Sequence, residues 1–275
     1  MQSRDGAVQV EDLGDVAGPV LAFGGPYSNV QATRAVLAVA DRAGAMPLCT
    51  GDIVAYCGAP VETVATLRAA QVPVIAGNCE RQLAAGAPDC GCGFEAGTAC
   101  DLMSVGWYGH AAAHLSAVEC DWMGTLPDLV TFTHAGLVWG VLHGGVTDVA
   151  RFLWPTTDDT AFEAEWDAFQ ALTGPLDRVI AGHSGIPFVR PLSRGEWINA
   201  GVIGMPPHDG SPQTRYAWIE DGAVSLRHLD YDVAGAVADM RAAGLTQGYD
   251  RALVTGYWPS EDVLPPDLRL SLASG

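Results

Sequence analysis

The sequence predicts an α/β fold that opens β-α-β-α-β and adds a second sheet, on three observations. Short apolar runs ending in glycine-containing turns alternate with amphipathic stretches over residues 20–76. Residues 188–230 break into strand-like runs separated by Gly, Pro and Asp turns, which suits an antiparallel second sheet. Hydrophobic residues make up 49% of the 275-residue chain and charged ones 17%, an ordinary balance for a chain that buries a core.

Residues 20–23, 47–54 and 72–76 read as strands. Between them, residues 29–42 place Val30, Thr33, Leu37 and Ala40 at helical spacing. Val61, Val64 and Leu67 do the same in a segment opened by Pro60, with Glu62 in its first turn. Residues 80–101, rich in Gly, Ala and Cys, predict a short helix and then a loop, and residues 111–123 another helix. Two strands are expected in residues 130–143 around Ala135-Gly136, a helix over 162–172 and a strand over 178–181. A helix over 233–243 precedes a Pro-rich end. With no internal repeat or low-complexity linker, one domain is expected over 1–275, with 1–18 an N-terminal extension and 233–275 a C-terminal helix and tail.

The formal charge of −18 argues against a nucleic-acid partner, whose phosphates the surface would repel. A small anionic substrate stays compatible if a bound cation inverts the local field. No apolar run is long enough to span a bilayer, and residues 1–18 carry acids but no apolar signal core, so a cytoplasmic location and no membrane partner are expected. The seven cysteines read as reduced thiols, some of them potential metal ligands, rather than as a disulfide framework. Oligomeric state has no signature here.

Four short motifs fall where predicted strands run out: Gly51-Asp52, Gly77-Asn78-Cys79-Glu80, His143-Gly144-Gly145 and Gly182-His183-Ser184-Gly185. A carboxylate, an amide oxygen and two imidazoles form a donor set for Zn, Mn, Fe or a similar divalent ion. In order and position these motifs resemble the calcineurin-like metallophosphoesterases, in particular their small bacterial and archaeal phosphodiesterase-like branch. The resemblance runs from about Val20 to Asp232 and is supported by Pro60-Val61-Glu62-Thr63-Val64 and by Trp197-Ile198-Asn199-Ala200-Gly201. It implies a four-layer αββα sandwich of two mixed sheets flanked by helices.

The family pattern is D-x-H-x-N, G-D, G-N-x-D/E, H-G and G-H-x-H. The resemblance makes Asp52 the carboxylate that would bridge two ions, with Asn78, His143 and His183 completing the set of the second. The first ion's own ligands are missing: the opening motif reads Gly25-Pro26-Tyr27-Ser28-Asn29, and the closing one ends in Gly185. All three losses strike one metal position, which implies a remodelled site with one divalent ion per chain. Losing the second Lewis acid removes on the order of a thousandfold in rate. Tyr27, as a phenolate on iron, and Cys57, on the loop after Asp52, are the candidate replacement ligands.

Within this reading Asn29 would orient the substrate or nucleophile, and Cys79 would protonate a leaving group. Arg151 and Arg190 are the candidates to grip a substrate phosphate. Cys90, Cys92 and Cys100 form C-x-C-x7-C in an acidic loop, a spacing that favours loop packing over a zinc knuckle. Cys49 and Cys120 are expected in the core, and His208 on an exposed loop. The expected function is metal-dependent hydrolysis of a small phosphodiester or phosphomonoester. The alternative is a non-catalytic metal- or ligand-binding member of the fold, a sensor or partner module.

Overall fold

The structure, a computed structural model, describes residues 7–270. The expected N-terminal extension and C-terminal tail lie partly outside the described residues. The elements run β1 (Val10–Asp15), β2 (Val20–Phe23), α1 (Val30–Ala43), β3 (Met46–Cys49), α2 (Pro60–Ala69), α3 (Asn78–Ala85), α4 (Ala99–His114), α5 (Ala117–Met123), β4 (Leu129–His134) and β5 (Leu137–Val141). They continue with α6 (Asp159–Thr173), β6 (Arg178–Ala181), β7 (Phe188–Leu192), β8 (Gly195–Asn199), β9 (Thr214–Glu220), β10 (Ala223–Leu229), α7 (Val233–Ala242) and α8 (Tyr249–Thr255).

Two mixed sheets form, a six-stranded one in the order β1-β4-β5-β6-β8-β7 and a four-stranded one in the order β10-β9-β2-β3. Strand periodicity explains how they stack. In β2, Val20 and Ala22 point into a core between the sheets, with Val130, Phe132, Trp139, Ile198 and Ile219. Leu21 and Phe23 point the opposite way, into a core built from α1, α2, α4, α7 and α8. On the outer face of the larger sheet, Phe162, Trp166 and Phe169 of α6 pack against Val179 and Trp197. Helices, sheet, sheet and helix make the expected four-layer αββα sandwich. No helix among the described residues is long and apolar enough to cross a membrane.

Several expected elements are redrawn. Residues 10–15, assigned by sequence to an extension, form β1, paired in parallel with β4 through Val10–Leu129 and Glu11–Val130. As an edge strand with mostly exposed acidic side chains, it shows no buried face for an apolar pattern to report. The expected strand over 47–54 stops at Cys49, because Gly51 and Asp52 take φ values of +92° and +55° and turn the chain. Residues 72–76 make only an isolated bridge, Val74 to Cys49. The helix expected over 111–123 is two helices, α4 and α5, divided at Ser116, whose N–H donates to Glu119 Oε2 at 2.7 Å in a capping box. Residues 188–230 do not form a sheet of their own. Strand β8 joins β6 in parallel, whereas β9 pairs with β2. The tail also carries α8, which the Pro-rich reading passed over.

Candidate metal centre

The carboxyl ends of β3, β5 and β6 bring three of the motifs together, and the start of α3 brings the fourth. Asp52 follows β3 in a left-handed conformation that a non-glycine residue adopts only when held. Glu80 holds it. Its Oε2 accepts from the Asp52 and Gly77 N–H groups, each at 2.8 Å, and its Oε1 accepts from Ile53 N–H at 2.8 Å. Burial, and then the charge of Asp52, push the Glu80 carboxyl up to about 7. Glu80→Gln would turn an amide NH2 toward backbone donors. It is expected to cost about 2–3 kcal/mol in thermal or denaturant unfolding and to weaken metal binding in a titration.

His143 follows β5, and its Nδ1 donates to the Thr50 carbonyl at 2.6 Å, which leaves the lone pair of Nε2 facing inward. That Nε2 lies 3.1 Å from Asn78 Oδ1, 2.9 Å from His183 Nδ1 and 3.2 Å from Asp52 Oδ2. His183 Nδ1 is 3.9 Å from the same carboxylate oxygen. Asn78 opens α3, and its Nδ2 donates to the Cys90 carbonyl at 2.9 Å, so its oxygen is the atom turned to His143. Phe152 packs on the His183 ring, with centroids 4.3 Å apart. All four side chains are buried.

Burial opposes ionisation of Asp52, but the His143 and His183 imidazoles outweigh it and hold the carboxyl well below the usual range. Burial also disfavours a charged His143, yet Asp52 holds its pKa above the ordinary value; burial keeps His183 below it. The ligand atoms of Asp52, His143 and His183 all lie within 4.8 Å of one another. Packing a buried carboxylate, an amide oxygen and two imidazoles this closely costs free energy unless a proton or a cation lies among them. The nitrogen and oxygen donors of these three residues, with the Asn78 oxygen beside them, fit a divalent ion such as Zn, Mn or Fe.

A cavity open to solvent reaches Asp52 and His183, with walls that include Tyr27, Tyr56, Phe152 and Trp258. Among the described residues no Arg lines it, and the whole chain contains no lysine. On its Gly25 side the space is filled. A Cβ added at Gly25, where φ is +38°, would fall 2.5 Å from Tyr27 Cζ and 2.7 Å from Val202 Cγ1. The Tyr27 ring therefore occupies the place that a side chain at position 25 would need. At Gly185 a Cβ would meet nothing closer than 3.6 Å.

The other sequence candidates need correction. Asn29 is not turned to the cavity; its Oδ1 accepts from Ala32 N–H at 3.0 Å and its Nδ2 donates to Gly204 O at 3.3 Å, so it caps α1. Cys57 is buried with its thiol 3.6 Å from Gly204 O, and it does not line the cavity. Cys79 is fully buried behind Asn78, where burial and then the Asp52 charge keep its thiol protonated. Arg190 is bound to Asp159 at 2.7 Å and to the Pro155 carbonyl at 2.7 Å. Arg151 pairs with Glu165 at 2.5 Å. Long arginines attract attention in sequence, but nearby acids have claimed both. Cys90 and Cys92, expected as thiols, are joined in a disulfide. His208 is buried and paired with Glu261 at 2.6 Å, and Cys120 is only half-buried. Thr50, whose carbonyl fixes the His143 tautomer, and Phe152 had no motif to mark them.

Glu165 organises the loop after His143, accepting from Val146 and Thr147 N–H at 2.6 and 3.0 Å besides Arg151. Burial works against its ionisation, but the Thr147, Val146 and Arg151 donors prevail and hold its carboxyl below the ordinary 4.5. A depressed carboxylate stabilises the fold above its unfolded value, and that contribution disappears as pH falls through the folded one. Glu165→Gln is thus expected to cost about 2–3 kcal/mol near neutral pH. In urea melts the gap from wild type should shrink as pH drops below about 4.5.

A metallophosphoesterase of Sphaerobacter thermophilus superimposes with a TM-score of 0.67 at 21% identity, covering 88% of this chain and 100% of its own. A hypothetical protein of Pyrococcus horikoshii OT3 gives a TM-score of 0.73 at 15% identity, covering 88% of this chain and 99% of its own. No protein-family model matches the sequence, and no curated protein matches it.

Proposed function

Because the chain has the calcineurin-like metallophosphoesterase fold, we propose that it hydrolyses a small phosphoester with one divalent ion held by Asp52, Asn78, His143 and His183. The observation that carries this reading is the convergence of Asp52 Oδ2, Asn78 Oδ1 and His183 Nδ1 within 3.2 Å of His143 Nε2, at the wall of a cavity. An ion held there would supply Lewis-acid polarisation of a phosphoryl oxygen. The protein's own part is positioning. Glu80 fixes Asp52, the Thr50 carbonyl fixes the His143 tautomer, and Phe152 fixes the plane of His183. Tyr27 faces the same cavity as a neutral phenol, because burial and then the Asp52 charge keep it protonated. It is placed to donate a hydrogen bond to a phosphoryl oxygen rather than to act as a phenolate ligand. The aromatic walls would exclude water and receive an uncharged ester group.

The test is hydrolysis of bis(4-nitrophenyl) phosphate beside 4-nitrophenyl phosphate, in the presence of Mn or Zn. Single-ion chemistry predicts turnover of the activated diester and little on the monoester. Monoester rates equal to those on the diester would contradict it. The second reading, a ligand-binding protein without turnover, is favoured by one observation: among the described residues no Arg or Lys lines the cavity to grip phosphate. Bound metal with silence across a broad phosphate panel would select it.

A further inference from the structure

The Asn78 amide has the metal centre on one side and sulfur on the other. Its Oδ1 lies 3.1 Å from His143 Nε2, while its Nδ2 lies 3.3 Å from Cys92 Sγ and 2.9 Å from the Cys90 carbonyl. Cys90 and Cys92 are joined across one residue, Gly91, whose φ of +61° allows the tight turn. Cys92 also lines the cavity together with Asp52 and His183. Cys92 thus lines the same cavity as two of the proposed ligands, and its sulfur contacts the amide of a third. Cys79, by contrast, is fully buried and does not line the cavity, and Cys49 and Cys57 are likewise absent from its walls.

We infer that Cys90 and Cys92 form a reversible dithiol–disulfide site, and that reduction gives the metal centre Cys92 sulfur as an added ligand. This rests on the metal-site reading above. A small dithiol entering the cavity would attack one sulfur of the pair, forming a mixed disulfide as the Cys90–Cys92 bond breaks. The second thiol of the reagent then closes the reagent's own disulfide. Two electrons and two protons pass to the protein, leaving Cys90 and Cys92 as thiols. Cys92 loses its proton to solvent when its sulfur takes the ion. The oxidised centre offers nitrogen and oxygen donors only and suits a harder ion such as Mn; the reduced centre adds a soft donor and favours Zn or Cd.

The experiment uses the full chain, oxidised or reduced with dithiothreitol that is then removed without air. Mn and Cd are titrated separately, and the thiolate-to-cadmium charge-transfer absorption is followed in the ultraviolet. Reduction should tighten Cd binding by about tenfold or more, leave Mn binding within about twofold, and bring up the charge-transfer band. Cys90→Ser, which keeps Cys92 a free thiol, should show the band without reduction. Cys92→Ser should lack it in both states, with circular dichroism reporting that each variant is folded. A band that persists in Cys92→Ser would assign the sulfur to another cysteine, Cys100 included, and overturn the inference. So would a reduced protein with unchanged Cd affinity and no band, while Mn binding at the centre would then leave the metal reading standing. Alkylation and mass measurement that find Cys90 and Cys92 free in air-exposed protein would overturn the disulfide half. Absence of any bound ion in either state would overturn both.

Discussion

Combining Gly25→Asp, Tyr27→His and Gly185→His is expected to raise phosphodiester hydrolysis by about a hundredfold or more, through recovery of a second electrophile. The three residues stand where the resemblance places the missing ligands, and the structure shows why they must change together. Gly25→Asp alone would set its Cβ 2.5 Å from Tyr27 Cζ, so it should destabilise the fold by about 1–3 kcal/mol without binding a second ion. Tyr27→His takes away the phenol ring, Val202 Cγ1 at 2.7 Å from the same Cβ must still shift, and Asp tolerates the left-handed φ of position 25 better than most side chains. Gly185→His has room for its Cβ, although φ there is +72° and carries its own strain. The effect should be strongly non-additive, because one or two ligands do not hold an ion. Rate and metal content must be measured on the same sample. A folded triple variant that binds a second ion and gains no activity would show that the aromatic cavity no longer admits a phosphodiester in line with both ions. One that binds no second ion would refute the alignment of residues 25–29.

Asp52→Ala and His183→Ala are each expected to abolish metal retention and to reduce hydrolysis by about a thousandfold or more. The stability readout is independent of substrate. For a ligand that binds only the folded protein, a concentration of 100 times Kd stabilises by about 2.7 kcal/mol. Wild-type protein should therefore show a metal-dependent rise in Tm, and the two variants none. An unchanged metal-dependent rise in Asp52→Ala would place the ion elsewhere.

The clustering of Asp52, His143 and His183 was legible in the sequence for a physical reason. Parallel strands deliver their carboxyl ends to one side, so Asp52, Asn78, His143 and His183, each just past an apolar run or opening a helix beyond one, had to converge. The departures from the family pattern at Gly25, Tyr27 and Gly185 were legible, though not that the Tyr27 ring fills the space a side chain at position 25 would need. Backbone partners leave no residue-type signature, which is why the Thr50 carbonyl and the capping job of Asn29 were hidden. Arg151 and Arg190 were misassigned because their acids, Glu165 and Asp159, come from α6 and are neighbours only in the fold. The disulfide escaped notice because Cys90 and Cys92 are one residue apart, and spacing does not say whether such a pair is closed. β1 was missed because an acidic edge strand buries too little to leave an apolar alternation.

The proposed centre holds one ion on four ligands beside a plugged position, and metal counted per chain tests it most directly. Protein purified after loading with excess Mn or Zn, kept oxidised and freed of unbound ion, should carry one equivalent by elemental analysis, and none after Asp52→Ala. Two equivalents in the oxidised wild type, both lost in Asp52→Ala, would mean that Asp52 bridges a pair of ions and that Tyr27 does not close the second position.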